Sequence, residues 1–158
     1  MTTQPITLIT GANGEIGHGL IRYFADLPDA APIVALDLKP LDIDLQPLVH
    51  EFIAGDILDM DLLDDIQTRY TIGTVYHLAA LLSTTSEKFP ELAHQVNVQG
   101  TVNLLQIANR EPNTVKFIYP SSIAVYGLPN LVTKAAHPAI DEDSFLHPTT
   151  MYGVNKLY

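Results

Sequence analysis

Apolar residues fall along this chain in short runs separated by longer periodic stretches. Runs at 6–9 (Ile-Thr-Leu-Ile), 33–36 (Ile-Val-Ala-Leu), 51–54 (Glu-Phe-Ile-Ala), 74–78 (Thr-Val-Tyr-His-Leu) and 115–119 (Val-Lys-Phe-Ile-Tyr) have the length and composition of β-strands. Between the first two, Ile16, Leu20, Tyr23, Phe24 and Leu27 recur at three- and four-residue steps, which predicts a helix with one buried stripe, bounded by Pro28 and Pro32. A second helix contains Leu62, Leu63 and Ile66, with Asp59 or Asp61 as its N-terminal cap. A third begins at Pro90, ends near Pro112 and carries Val98, Val102, Leu105 and Ala108 on one face. Within it, residues 97–101 (Asn-Val-Gln-Gly-Thr) replace good helix formers with poor ones, and Gly100 suggests close approach by another element.

The polar connections are uneven. Residues 38–48, with Pro40, Pro47, Asp42 and Asp44, read as an irregular link, and 81–88 as a hydroxyl-rich loop. From Gly127 onward, Pro129, Pro138, Pro148 and the acidic group Asp141-Glu142-Asp143 predict a long surface excursion that could serve as a lid. Strands alternate with helices throughout. The expected class is therefore α/β, a doubly wound parallel sheet in a three-layer αβα arrangement. Right-handed crossovers with one switch between strands one and four give the order 3-2-1-4-5.

Composition narrows the function classes. A chain of 158 residues, 47% of them hydrophobic, can bury a core as one unit spanning 1–158, and no apolar run is long enough for a membrane helix. The net charge of −10, from 18 acidic and 8 basic residues, opposes nucleic acid or anionic membrane as partners. Without cysteine there is no disulfide framework, thiolate nucleophile or sulfur-bound zinc. The six histidines form no ligand-like spacing, so no metal is expected. No basic region followed by an apolar core stands near Met1, which makes a cytoplasmic address the expectation.

Candidate chemistry begins at residues 10–17, Thr-Gly-Ala-Asn-Gly-Glu-Ile-Gly, where a strand should turn into a helix. Gly11, Gly14 and Gly17 let a pyrophosphate approach the backbone, and the first amides of the following helix can bind its anionic oxygens. Asp37 closes the second strand twenty residues after Gly17. At that distance a carboxylate accepts from adenosine ribose hydroxyls and repels a 2′-phosphate, so NAD is favoured over NADP, slightly weakened by Lys39. A surface aspartate closing a strand is the plainer alternative. Asp56, after the third strand, could approach the adenine. Ala79 and Ala80 leave room for a flat cofactor or for close packing. Ser83, in the loop that follows, is a candidate substrate contact.

Tyr152 and Lys156 are four residues apart, so on a helix they share a face. A nearby ammonium favours tyrosinate and lowers a phenol pKa from about 10, which suits a general acid or base. Alone the pair is an ordinary helical spacing. With Ser122 thirty residues earlier at a strand end, it gains weight.

Together these segments resemble the extended short-chain dehydrogenase/reductases, the nucleotide-sugar epimerase/dehydratase group. The matching residues are the 10–17 stretch, Asp37, Asp56-Ile57, His77-Leu78-Ala79-Ala80, Asn97-Val98-Gln99-Gly100-Thr101, Ser121-Ser122 with Val125-Tyr126-Gly127, and Tyr152-Gly153-Val154-Asn155-Lys156. The resemblance implies a Rossmann domain holding NAD through Gly11, Asn13, Gly14, Glu15, Ile16, Gly17, Asp37, Asp56, Ile57, Leu78, Ala79, Ala80, Asn97, Tyr152 and Lys156. It implies Tyr152 as proton donor or acceptor, Lys156 on the nicotinamide ribose, and Ser122, chosen over Ser121, on the reacting oxygen. Substrate would touch Ser83 and Ser122.

Two branches of the family compete. Residues 77–88 and 120–125 look like the L-threonine 3-dehydrogenase branch, while 140–143 and 148–153 look more like sugar-nucleotide epimerases. The expectation is hydride transfer at a secondary alcohol carbon of a nucleotide sugar, with L-threonine as the alternative and a non-catalytic NAD-binding or partner-docking module as the alternative of another class. Family members continue beyond the lysine into further strands and a small substrate domain, so this chain resembles the N-terminal, cofactor-binding part of a longer enzyme. The 90–110 helix would pair with a second copy in a homodimer, as such helices do in this family.

Overall fold

The computed structural model describes residues 4–113, 115–137 and 139–158; Met1 and Pro138 lie outside the described residues. The chain divides into two compact units, Met1–Ala80 with Gln99–Pro120, and Leu81–Val98 with Ser121–Tyr158.

The first unit holds a five-stranded parallel sheet in the order β3-β2-β1-β4-β5, built from β1 (Ile6–Thr10), β2 (Ile33–Asp37), β3 (Glu51–Ala54), β4 (Ile72–His77) and β5 (Lys116–Ile118). This is the Rossmann-type order expected from the strand and helix alternation. Period-two alternation sorts the buried strand residues between two faces. Ile9 and Ala35 pack with Ala12, Ile21, Leu41 and Leu45 in one core cluster, backed by half-buried Phe24, Phe52 and Tyr76. Buried Leu8, Val34 and Val75 belong to the opposite face, where α5 (Gly100–Arg110) packs on β4 and α2 (Met60–Arg69) packs on α5 through buried Leu63, Ile66, Leu104 and Ile107. Asp59 caps α2 by accepting from the Leu62 amide at 3.1 Å, which settles the choice between Asp59 and Asp61. Gly100 makes the expected close approach: a Cβ there would stand 2.4 Å from Ile57 Cδ1.

Helix α1 (Glu15–Ala25) presents a different face from the one the spacing predicts. Gly17 and Ile21 are buried, with Leu20 and Phe24 half-buried, whereas Ile16 and Tyr23 are each 60% exposed and Leu27 is exposed as well. A stripe through 17, 20, 21 and 24 satisfies three- and four-residue steps as well as the expected one through 16, 20, 23, 24 and 27, with which it shares Leu20 and Phe24. Contact at Gly17 selects the first, because its Cα lies so near Ala12 that an added Cβ would be 2.4 Å from the Ala12 carbonyl oxygen. Residues 38–48 are irregular except for a 3₁₀ turn at Gln46–Leu48.

The second unit contains α3 (Ser83–Lys88), α4 (Pro90–His94), a π-helical turn (Gln95–Gln99), a 3₁₀ turn (Ile123–Val125), α6 (Leu131–Ala136) and α7 (Met151–Leu157). Three expectations need correction. The 81–88 loop is largely a helix, held by buried Ser86, whose amide donates to the Leu82 carbonyl and whose hydroxyl donates to the Leu81 carbonyl. The excursion after Gly127 includes α6, capped by the Asn130 side chain on the Thr133 amide. The single helix expected over 90–112 is instead α-, π- and α-helical in turn, the π-turn falling on the poor helix formers around Asn97.

Candidate functional site

In the first unit, the turn between β1 and α1 has the form a phosphate needs. Gly11 has φ +67°, in the left-handed region, and a Cβ there would lie 2.6 Å from the Ala79 nitrogen. Gly14 stands at the N-cap with no side-chain cap, and the first turn-to-turn bond of the helix runs from the His18 amide to the Gly14 carbonyl at 2.9 Å. The amides of Glu15, Ile16 and Gly17 precede that bond and are left for an anion. Exposed Ile16 stands at the open end of the same turn.

Asp37 joins this turn directly. Its Oδ2 accepts from the Asn13 amide at 2.9 Å and its Oδ1 from the Lys39 amide at 3.0 Å. Each carboxylate oxygen keeps a further lone pair for a ribose hydroxyl. The Asn13 Oδ1 atom is engaged elsewhere, accepting from His18 Nε2 at 3.0 Å and from the Asp42 amide at 3.1 Å. Asp56 closes its own turn by accepting from the Leu58 amide at 2.9 Å. Ile57 is buried against Gly100, and its carbonyl accepts from Asn103 Nδ2 at 3.1 Å. Half-buried Leu78, Ala79 and Ala80 follow β4, with the Leu78 amide bonded to the Thr10 carbonyl at 3.0 Å. Gly11, Asn13, Asp37, Leu78 and Ala79 are thus gathered around one turn, whereas Asp56 and Ile57 are engaged with their own loop and with α5. The uncapped helix start, the positive φ at Gly11 and the small residues beside it fit a dinucleotide's pyrophosphate, and Asp37 fits its ribose.

Composition treats His77 as one histidine among six, but the structure makes it central. It is fully buried, with Nδ1 2.8 Å from Thr10 Oγ1, Nε2 2.9 Å from Thr101 Oγ1, and its ring stacked on Tyr119 at 5.2 Å between centroids. The sequence signals for this were the string His77-Leu78-Ala79-Ala80, a threonine at the end of β1 and another on α5.

In the second unit, Asn97 is 1% exposed and its side chain grips the backbone of one residue: Oδ1 accepts from the Leu81 amide at 2.7 Å while Nδ2 donates to the Leu81 carbonyl at 3.0 Å. Ser83 is the first residue of α3 and is exposed. Ser122 caps the 3₁₀ turn, its Oγ accepting from the Ala124 amide at 3.2 Å, so its own proton remains to donate. Gly153 lets α7 rest on that turn: a Cβ there would lie 2.1 Å from the Ala124 oxygen. This contact brings the segments carrying Ser122 and Tyr152 together. Thr150 Oγ1 accepts from the Gly153 amide at 3.0 Å, and Glu87 Oε1 from the Met151 amide at 2.6 Å, which fixes the start of α7.

One turn along α7, Lys156 Nζ lies 5.9 Å from the Tyr152 ring centroid, as the four-residue spacing requires. Burial pushes the Lys156 ammonium down to about 8 from its usual value near 10.5. A phenol, a lysine poised close to neutrality and a serine hydroxyl form a set able to move a proton to or from an alcohol oxygen. Asn155, between Tyr152 and Lys156 in sequence, is 3% exposed, and neither side-chain atom bonds within the described residues. The excursion after Gly127 is pinned at its base, where the Gly127 amide donates to the Phe145 carbonyl at 2.8 Å.

Residues 7–158 match the sequence profile of the NAD dependent epimerase/dehydratase family. An uncharacterized epimerase/dehydratase of Staphylococcus aureus is 33% identical over 150 residues, covering 95% of this chain and 44% of that protein. Among solved structures, a monomeric L-threonine 3-dehydrogenase from a metagenome is 34% identical with a TM-score of 0.75, over 96% of this chain and 46% of that one. A UDP-glucose 4-epimerase from Brucella ovis in complex with NAD is 28% identical with a TM-score of 0.80, over 98% and 45%. The chain therefore spans less than half the length of these relatives, yet nearly all of its own length takes part in the match. It belongs to the NAD-dependent epimerase/dehydratase family.

Proposed function

We propose that the protein to which this chain belongs oxidises or reduces a secondary alcohol carbon with NAD, with Tyr152 as the acid–base residue. The observation that carries this is the pairing of Tyr152 with Lys156 on α7, with Nζ 5.9 Å from the ring, on a helix packed through Gly153 against the turn that bears Ser122. When bound, NAD supplies the hydride acceptor or donor at its nicotinamide ring. The amides of Glu15, Ile16 and Gly17 would hold the pyrophosphate and Asp37 the adenosine ribose. Ser122 donates its hydroxyl proton toward the substrate oxygen. Tyr152 takes the alcohol proton during oxidation and returns it during reduction. Lys156, a cation below about pH 8, stabilises the negative charge that develops on the phenol oxygen as that proton leaves.

L-threonine is the first substrate to test. The reading is supported by the 34% identity to the metagenomic L-threonine 3-dehydrogenase and by 30% identity, at a TM-score of 0.80, to the holo L-threonine dehydrogenase from Cupriavidus necator. A nucleotide sugar is the second reading, supported by the Brucella ovis epimerase. NADH titration of the 158-residue chain tests the cofactor. A panel of L-threonine with NAD and of UDP-sugars, run on the longest polypeptide that the gene encodes, tests the substrate. Tyr152→Phe should keep NADH affinity and lower turnover by about 10²- to 10⁴-fold. Tight NADH binding with no turnover on either substrate class would favour the non-catalytic module instead.

A further inference from the structure

His77 has no part in the acid–base set, yet it is fully buried with each ring nitrogen within hydrogen-bond distance of a threonine hydroxyl. We infer that His77 is a positioning residue: it fixes the Thr10 hydroxyl and, through it, holds Ala79 and the Gly11 turn in the geometry that receives the dinucleotide. The inference rests on the cofactor reading above and extends it to a residue that would not touch the cofactor.

Thr10 is fully buried at the last position of β1, one residue before the left-handed Gly11. Its Oγ1 lies 2.8 Å from His77 Nδ1 and also accepts from the Ala79 amide at 3.4 Å. A buried hydroxyl must place its own proton as well as accept. The arrangement that leaves nothing orphaned has Thr10 donating to an unprotonated Nδ1 and His77 donating from Nε2–H to Thr101 Oγ1. The ring is kept in plane by Tyr119, stacked at 15°, and by Phe117 at 6.2 Å. Fixing the ring fixes Thr10, which links the ends of β1 and β4. That link lies where Gly11 presses on Ala79 so closely that no Cβ fits between them. The two backbone segments that line the pyrophosphate position are therefore keyed to each other by a histidine behind them.

Three variants separate positioning from space filling. His77→Phe keeps a ring for Tyr119 and deletes both bonds. His77→Asn places an amide near the Nδ1 position, toward Thr10, and His77→Gln places one near Nε2, toward Thr101. Hydrogen exchange of the Gly11 and Ala79 amides in the 158-residue chain, followed by NADH titration, gives two readouts. The Phe variant should exchange faster at both amides and bind NADH ~10-fold more weakly, the factor expected for one buried bond. Asn should restore both readouts and Gln should not. Thr10→Val, which removes the same bond and the acceptor of the Ala79 amide as well, should weaken binding at least as much as the Phe variant, and the double variant should do no more than Thr10→Val alone. Wild-type exchange in the Phe variant, or equal behaviour of Asn and Gln, would overturn the inference. Failure of the wild-type chain to bind NADH would count against the cofactor reading, while the exchange rates would still decide the role of His77.

Discussion

Replacing Gly11 by alanine puts the strictest demand on the glycine turn. The new methyl group would meet Ala79 N at 2.6 Å and both Ala79 Cα and Leu78 C at 2.8 Å, all backbone atoms that cannot rotate away. The φ of +67° adds a cost of about 1–2 kcal/mol for any residue with a Cβ. Forcing a methyl into a packed contact adds about 1–3 kcal/mol. The expected loss is about 2–5 kcal/mol, or a melting temperature lower by about 4–20 °C in a chain of this size. Gly19→Ala is the control, because Gly19 lies in α1, the helix that follows the turn, with nothing within 4 Å of its Cβ position. Alanine there should stabilise by about 1 kcal/mol through helix propensity. Urea unfolding of the three proteins measures the contrast, and NADH titration of each should show affinity lost in Gly11→Ala alone. If the two variants differ in stability by less than about 1 kcal/mol, the close approach of Gly11 to Ala79 does not exist in solution.

Two further expectations concern the second unit. Asn97→Ala leaves the Leu81 amide without its side-chain partner and the Leu81 carbonyl with the Ser86 hydroxyl alone, and should cost about 1–3 kcal/mol in urea unfolding. Lys156 makes stability depend on pH. Its folded pKa is lowered to about 8 from 10.5, so between those values the unfolded chain carries a proton that the folded chain lacks, and stability rises with pH across that window. Below about pH 8 the full cost of burying the charge is present, and Lys156→Met should remove this slope when unfolding is compared at intervals from pH 7 to 10. In the full-length protein, any turnover that needs the ammonium should fall as pH rises through 8.

Strand positions were legible because a short β-branched run bounded by Gly, Pro or Asp has few other uses, and all five strands fall within about two residues of their sequence positions. Tyr152 and Lys156 were legible for the same kind of reason: four-residue spacing on a helix imposes the proximity. Legibility failed where two patterns fit one sequence or where no hydrophobic pattern exists. The face of α1 was ambiguous between two stripes until the Gly17 contact chose one. Helix α6 has Leu131 and Val132 more than three-quarters exposed and no buried residue, so no amphipathic stripe announces it. The clamp of Asn97 on Leu81 depends on a π-turn, which changes which side chains face inward and leaves no trace in apolar periodicity.

The residues of the family strings therefore divide by what their polar atoms do. Gly11, Gly14 and Gly17 act through the absence of a side chain, and their role can be read from spacing. Asn13, His77 and Asn97 act through bonds to other parts of the chain, to His18 and Asp42, to Thr10 and Thr101, and to Leu81. Side chains committed in this way hold loops in shape, whether or not they also meet a cofactor. Asp37 does both, bracing the Asn13 amide with one oxygen while keeping lone pairs for a ribose. That dual commitment explains why an acid is needed at this position even before a ligand arrives. An amide replacing it has one acceptor for two donors, so its NH2 would face the Asn13 or the Lys39 amide, and one of the two bonds that brace this turn would be lost.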